Sequence, residues 1–338
     1  MSVVILNYNG RNFLNRLFKT LAEQTYKSFE VIFVDNASTD DSLKVVTEIL
    51  QEKPFDSLDV KIVMNKKNLG FCEGNNKGLR HANGEFVVFL NNDTYVKSTW
   101  LEQLVVVMEA HPEFGACQSR LFFASSGEIQ NDGHLFDLYG WGKEIVFLVT
   151  PERNVEFSTD VFFLTGASLI VRKSALVKTG NFDAQLFGGD CDLCWRLRLM
   201  GYELATAFNS TCYHYGSSAT KNLMTDLAMR YNTNREKLRV LMKNYSLSNL
   251  LKRIPLSVIL ILAESLFLAV KFGAPLYITK SLSAIGWNIS NLKNTLTIRY
   301  KIQYSRTISD REIERKMLHY PLLLRMFILT LTHQKPMR

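Results

Sequence analysis

Three short stretches of the chain place carboxylates where chemistry could use them. Asp93 closes Asn91-Asn92-Asp93, directly after the apolar run Phe86–Leu90. At the end of a buried strand, a carboxylate can hold a hard divalent cation such as Mg²⁺ or Mn²⁺, which keeps waters and shares substrate phosphates. The plainer alternative is a polar turn. Asp35 follows a second such run, Phe29–Val34, and leads into Asn36-Ala37-Ser38. It can accept hydrogen bonds from a pyrimidine N–H or a ribose hydroxyl, or cap the next helix. Asp190 and Asp192 stand behind Gly188-Gly189 and ahead of an amphipathic segment carrying Leu193, Leu197 and Met200. Acids suit a helix N-terminus. The glycines also leave room for a substrate, and a carboxylate within reach of a reacting hydroxyl can act as general base. His214, among the aromatics of Cys212-Tyr213-His214-Tyr215, is either a hydrogen-bonded structural residue or a metal ligand through its neutral imidazole.

Such residues need elements to position them, and the first part of the chain supplies an alternating pattern. Short apolar runs at Ser2–Leu6, Phe29–Val34, Val60–Met64 and Phe86–Leu90 predict strands. Between them, Phe13, Leu14, Leu17, Phe18 and Leu21 recur at helical spacing. A second helix is expected from a cap at Thr39 or Asp40 to about Leu50, and a third around Gly74–Ala82. A further strand is expected over Glu203–Phe208. This β-α-β order implies a largely parallel sheet with right-handed crossovers. Such sheets bind ligands at the carboxyl ends of their strands. The polar clusters at residues 7–10, 35–40 and 91–94 all fall at those ends.

Six motifs in register carry a resemblance: Ser-Val-Val-Ile-x-Asn-Tyr-Asn, Val-Asp-Asn-Ala-Ser-Thr-Asp, Asn-Leu-Gly-Phe, Leu-Asn-Asn-Asp-Thr, Leu-Thr-Gly-Ala and Gly-Asp-x-Asp-Leu-Cys-x-Arg-Leu. Together they resemble a family 2 glycosyltransferase of the GT-A fold, in its rhamnosyltransferase-like branch, over about residues 2–218. The resemblance implies an α/β domain with a mixed, mostly parallel Rossmann-like sheet. It implies inverting transfer of a sugar from a nucleotide-sugar donor, a deoxysugar donor such as dTDP-rhamnose being expected, with Mg²⁺ or Mn²⁺. Asp35 would hold the nucleotide base, in a donor site with Asn7, Tyr8, Asn9, Asn36, Asn68, Gly70, Asn91 and Asn92. Asp93 occupies the last position of the family's metal-binding acid triplet, and His214 stands where some relatives place another metal or diphosphate contact. Asp190 would be the catalytic base, Asp192 sharing that role as the alternative. Thr165, Gly166 and Ala167 would line the donor–acceptor crevice. The sequence departs from the family pattern in two places: the triplet reads Asn-Asn-Asp, and Gly189 replaces the acid before Asp190.

Composition sets the remaining bounds. With 47% hydrophobic and 21% charged residues among 338, the chain is globular rather than disordered or collagen-like. Five scattered cysteines make no disulfide framework, Cys191-x-x-Cys194 is a lone pair, and a reducing, cytosolic setting is expected. MSVVILNYNG has neither a basic stretch nor a long apolar one, so no secretory signal is expected there. Residues 1–218 carry a net charge of −6 and residues 219–338 a net +14. Two regions are therefore expected, a catalytic one over 1–218 and a helical, membrane-associating one over 219–338. The latter carries apolar stretches at Ile254–Val270, Ala274–Trp287 and Leu322–Leu331. A lipid surface accounts for both the charge and the greasiness, whereas nucleic acid accounts only for the charge. A single span at Ile254–Val270 would export a segment of net charge +9, against the positive-inside tendency. In-plane or re-entrant helices on the cytoplasmic face are therefore expected. The acceptor expected is a lipid-linked or cell-surface glycan. The rival reading is a catalytically silent scaffold in a glycan-assembly complex, motivated by the two departures. A nucleotidyltransferase would need a Gly-rich basic loop near the start, which is not visible.

Overall fold

The computed structural model describes residues 1–53, 55, 58–147, 156–216 and 226–325. Strands β1 (Ser2–Asn7), β2 (Glu30–Asp35), β3 (Val60–Met64) and β4 (Phe86–Asn91) alternate with helices α1 (Arg11–Ala22), α2 (Ser42–Ile49) and α3 (Gly70–Leu79). These four strands pair in parallel in the order β4-β1-β2-β3. Their apolar runs are continuous because helices cover both faces of such a sheet. Val3, Val4, Ile5, Val31, Ile32, Phe33, Val87 and Val88 are all fully buried. Then come β5 (Thr94–Val96), α4 (Trp100–Ala110), β6 (Phe114–Phe123), β7 (Ile129–Asn131), β8 (His134–Phe136), β9 (Gly142–Glu144), β10 (Phe157–Ser158) and β11 (Ser168–Arg172). After these follow α5 (Lys173–Thr179), α6 (Asp190–Leu199) and β12 (Glu203–His214).

The sheet is mixed. β11 lies antiparallel between β4 and β6, and β12 continues parallel to β6. Two elements differ from expectation. α3 starts at Gly70 rather than Gly74. β12 does not stop at Phe208, because Ala207 faces Ser119 while Thr211 faces the very next residue, Arg120. Three residues bulge out between them, and the strand then re-pairs as far as His214, which faces Thr94 of β5. His214 is therefore held on a strand rather than in a trailing loop.

The described residues form two compact units. The sheet unit takes Met1–Gly133, Ile145–Leu197 and β12. The second takes His134–Glu144, Arg198–Gly201 and the described residues after 225, so it draws on more than the last part of the chain. The boundary expected at 218/219 and the end of the apolar stretch Leu322–Leu331 lie outside the described residues. Helices of the second unit are α7 (Asp226–Asn244), α8 (Leu247–Phe272), α9 (Leu276–Ser290), α10 (Leu292–Ser305) and α11 (Asp310–Glu314). The five cysteines are free, four of them buried.

In the second unit the Lys237 ammonium sits 3.2 Å from the Trp141 ring centroid. Burial pushes its pKa from 10.5 down to about 7, against the opposing pull of Glu264 and Asp137. Above pH 7 the folded state has lost this proton while the unfolded chain keeps it until about 10.5, so stability rises with pH across that window. Denaturation midpoints of wild type minus Lys237→Met, measured from pH 7 to 10, should rise with pH; a flat difference would contradict this assignment.

Candidate active site

The carboxyl ends of β1 and β2 are tied into one polar network. Asn7 is fully buried, and its Nδ2 donates to Asp35 Oδ1 (3.4 Å) and Ser38 Oγ (3.0 Å). Its Oδ1 accepts from Asn92 Nδ2 at 2.7 Å, which links β1 to the turn after β4. Asp35 Oδ2 accepts the Ser38 N–H at 3.1 Å, closing a tight turn after β2. Asn9 takes a left-handed conformation (φ 53°), one that Asn tolerates better than most residues. This lets its Oδ1 accept from the Thr39 N–H at 2.7 Å. Tyr8 is half-buried on the same turn. Asn36 extends the network by donating to Asn68 Oδ1 (2.9 Å) and accepting from the Leu69 N–H (3.0 Å), and Asn68 Oδ1 also takes the Gly70 N–H (2.8 Å). The sequence-predicted donor residues Asn7, Asn9, Asp35, Asn36, Asn68, Gly70 and Asn92 thus form one connected edge.

Asp93 and His214 meet beside that edge. Asp93 is 6% exposed, and its Oδ1 lies 3.2 Å from His214 Nε2. The other ring nitrogen, Nδ1, is 3.1 Å from Gln130 Oε1, which can only accept. With the proton of the neutral ring on Nδ1, the buried Nε2 turns its lone pair toward a carboxylate oxygen. Two acceptors this close require a proton or a cation between them. The 3.2 Å separation also matches adjacent ligands of an octahedral ion, about 3 Å apart for bonds of about 2.1 Å. The donor set therefore fits a divalent cation with two protein ligands. No cluster of three or more His, Cys, Asp or Glu residues suited to a metal occurs among the described residues.

Asp190 and Asp192 part company. Both sit in the first turn of α6. Asp190 Oδ2 accepts the Gly166 N–H at 3.0 Å, which joins α6 to the loop ahead of β11. A Cβ on Gly166 would stand 2.7 Å from Asp190 Oδ1 and from Phe71 Cζ, so only glycine allows this approach. Thr165 is fixed by its N–H to Gln118 Oε1 (2.9 Å), and Ala167 by its carbonyl to the Asn91 N–H (3.0 Å). Asp190 thereby shares with Asn91 and Asp93 the sheet edge where β4 ends and β11 begins. Asp192 instead points into the core, fully buried, with Arg196 Nε 2.9 Å from its Oδ2. Arg196 in turn donates to the carbonyls of Thr179, Gly180 and Asn181. The carboxylate of Asp192 is committed to structure. Gly189 also has a local reason. Its φ is +76°, and a Cβ there would lie 2.6 Å from Cys72 Sγ, so the family's acid does not fit at this position.

Sequence reasoning missed Gln130, Gln118 and Ser38. Ser38 lies inside one of the six motifs. Gln130 and Gln118 join the candidate site only through strand pairing and give no local signal.

Taken together, the polar residues at the carboxyl ends of β1, β2 and β4 form one candidate ligand site on an α/β sheet. The profile of glycosyl transferase family 2 matches residues 2–180, and the chain belongs to that family. It is 28% identical over 231 residues to the O-antigen biosynthesis protein RfbC of Myxococcus xanthus, covering 65% of this chain and 18% of the relative. It is 32% identical over 113 residues to the poly(ribitol-phosphate) beta-N-acetylglucosaminyltransferase TarS of Staphylococcus aureus, covering 32% of this chain and 19% of the relative. The chain thus spans less than a fifth of the length of either. The crystal structure of TarS in complex with UDP-GlcNAc superposes with a TM-score of 0.54 at 19% identity, covering 72% of this chain and 66% of that one. The mannosyltransferase PcManGT of Pyrobaculum calidifontis, in complex with GDP-Man and Mn²⁺, gives 0.53 at 16% identity, covering 90% and 85%. These likenesses establish the GT-A fold.

Asp192→Ala strands a buried guanidinium and should lower stability by about 3–5 kcal/mol in denaturant titrations. A variant as stable as wild type would contradict the structural role assigned to this carboxylate.

Proposed function

We propose that the chain transfers a sugar from a nucleoside-diphosphate donor to a hydroxyl of a lipid-linked or cell-surface glycan, with inversion at the anomeric carbon. The observation that carries this is Asp190, held by the Gly166 N–H on the same sheet edge as the Asp93–His214 pair. The acceptor oxygen forms a bond to the anomeric carbon as the C–O bond to the diphosphate breaks. The hydroxyl proton goes to Asp190, and the bonding electron pair leaves with the nucleoside diphosphate. Gly166 orients the base by fixing one carboxylate oxygen through its N–H, and its lack of a side chain lets the two approach. Asn7, Asp35 and Asn36 would position the nucleoside through the network at the ends of β1 and β2. Asp93 and His214 would hold Mg²⁺ or Mn²⁺, which neutralises charge developing on the diphosphate leaving group. Gln130 keeps the His214 proton on Nδ1 and so leaves Nε2 available as a ligand.

The nucleotide complexes of TarS and PcManGT support a nucleotide-sugar donor. The names of RfbC and TarS support a cell-surface polymer as the product's destination. A dTDP-deoxysugar such as dTDP-rhamnose is the first donor to test, on the motif resemblance, beside UDP-sugars. The acceptor would be met on the nucleotide-bearing side of the membrane.

Asp190→Asn should lower kcat by about 10²–10⁴-fold while leaving the melting curve in place. Donor turnover, read as nucleoside diphosphate release, checks this; full activity would remove Asp190 as the base. Asp93→Asn and His214→Ala should each abolish the Mn²⁺-dependent part of the thermal stabilisation given by nucleoside diphosphate. Unchanged stabilisation in both would place the cation elsewhere.

A further inference from the structure

Helices α8, α9 and α10 of the second unit bury hydroxyl-bearing and small residues beside a few aliphatics such as Ile261 and Ile302, and leave many large aliphatics outside. Along α8 the buried residues are Ser257, Ile261 and Ser265, while Ile259 and Val270 stand 60% and 77% exposed. Leu256, Ile259, Ala263, Leu266 and Val270 follow a three–four spacing. At about 100° per residue this stripe lies on the side of the helix opposite the serines. The serines are bonded inward. Ser257 Oγ donates to the carbonyls of Tyr139 (3.0 Å) and Arg253 (2.8 Å), and the Ser265 and Ser281 hydroxyls meet at 2.6 Å. α9 repeats the pattern, burying Ser281, Ala284 and Asn288 and exposing Leu282 and Ile289. In α10, Thr295 and Ile302 are buried while Leu292, Leu296 and Tyr300 are exposed. Water selects the reverse arrangement. Small and hydroxyl-bearing residues between helices, with branched aliphatics outside, suit helices whose surroundings are hydrocarbon.

Charge identifies that hydrocarbon. From Leu247 to Ser305 the chain holds seven Lys or Arg residues and one acid, Glu264. Glu264 is paired with Arg230 at 3.1 Å. Lys252, Lys271, Lys280, Lys293 and Lys301 are exposed on these same helices. Cations beside an exposed aliphatic face match a layer of anionic headgroups over acyl chains. Tyr300 and Tyr304, stacked with ring centroids 6.2 Å apart and open to solvent, have the amphipathic rings favoured at that boundary. α8, with 26 residues, is about 39 Å long, enough to cross a bilayer. Its serine face, however, is bonded to Tyr139 and to α9, which leaves one side for lipid. One-sided exposure suits a helix lying in the plane of a leaflet.

We infer that the exposed faces of α8, α9 and α10 dock the chain in the plane of an anionic bilayer leaflet, their aliphatic side chains among the acyl chains and their lysines on the headgroups. The inference stands apart from the sugar-transfer reading. The test is flotation of the full chain with phosphatidylcholine vesicles, with and without phosphatidylglycerol. Wild type should float with the anionic vesicles. Ile259→Glu combined with Leu266→Glu should stay at the bottom of the gradient with unchanged helical content and unchanged nucleoside diphosphate release in solution. Lys252→Gln and Lys271→Gln should each weaken binding about fivefold. Equal binding to neutral vesicles, or none to anionic ones, would overturn the inference. So would a wild-type dimer that the Glu variants dissociate, which means a second copy covers the face. Loss of turnover with binding intact would instead count against the catalytic reading alone.

Discussion

A hydrogen bond from the Gly166 N–H to Asp190 organises the edge that carries the candidate site. It ties the first turn of α6 to the loop that enters β11, and β11 is the antiparallel neighbour of β4. Because a single Cβ on Gly166 would overlap the carboxylate, loop and acid have one way to meet. The register of β11 against β4 then brings Ala167 to Asn91, and through Asn91 the turn carrying Asp93. The core behind this edge is built in the usual way of parallel sheets, from strands that are apolar on both faces and covered by helices. Trp100 anchors it, its Nε1 donating to Ser119 and Ser168 in the middle of the sheet.

The two acids of α6 illustrate how environment assigns roles to identical groups. Asp190, at the helix start, meets a backbone N–H and the crevice loop. Asp192, two residues on, is turned inward, where it accepts from Arg196, whose guanidinium also donates to three backbone carbonyls. Gly189 belongs to the same economy of space: its left-handed backbone and the nearby Cys72 sulfur explain why no acid precedes Asp190 here.

Much of this is legible in the order of residues along the chain. Apolar runs ending in Asn and Asp place the ends of β1, β2 and β4 correctly, because a buried strand must stop where polar side chains begin. The six motifs point to the family to which the chain belongs. What stays hidden depends on pairing between distant segments. The three-residue bulge in β12 puts His214 on a strand opposite Thr94, and periodicity within 203–208 carries no trace of it. Gln130 and Gln118 gain meaning only from neighbours that β7 and β6 bring together. In the second unit, composition indicates greasy and basic helices but not which faces turn outward, since the serines that line the inside look like solvent residues in sequence. The contribution of His134–Glu144 to that unit is likewise invisible in the sequence.

The central claim is a single displacement with Asp190 as the base, and its stereochemistry is the most direct test. With a donor that supports turnover, the anomeric proton coupling of the freshly formed product reports its configuration by NMR. A product whose anomeric configuration is opposite to the donor's is what the arrangement predicts. Retention would require a second displacement or a different attacking group, and would contradict it.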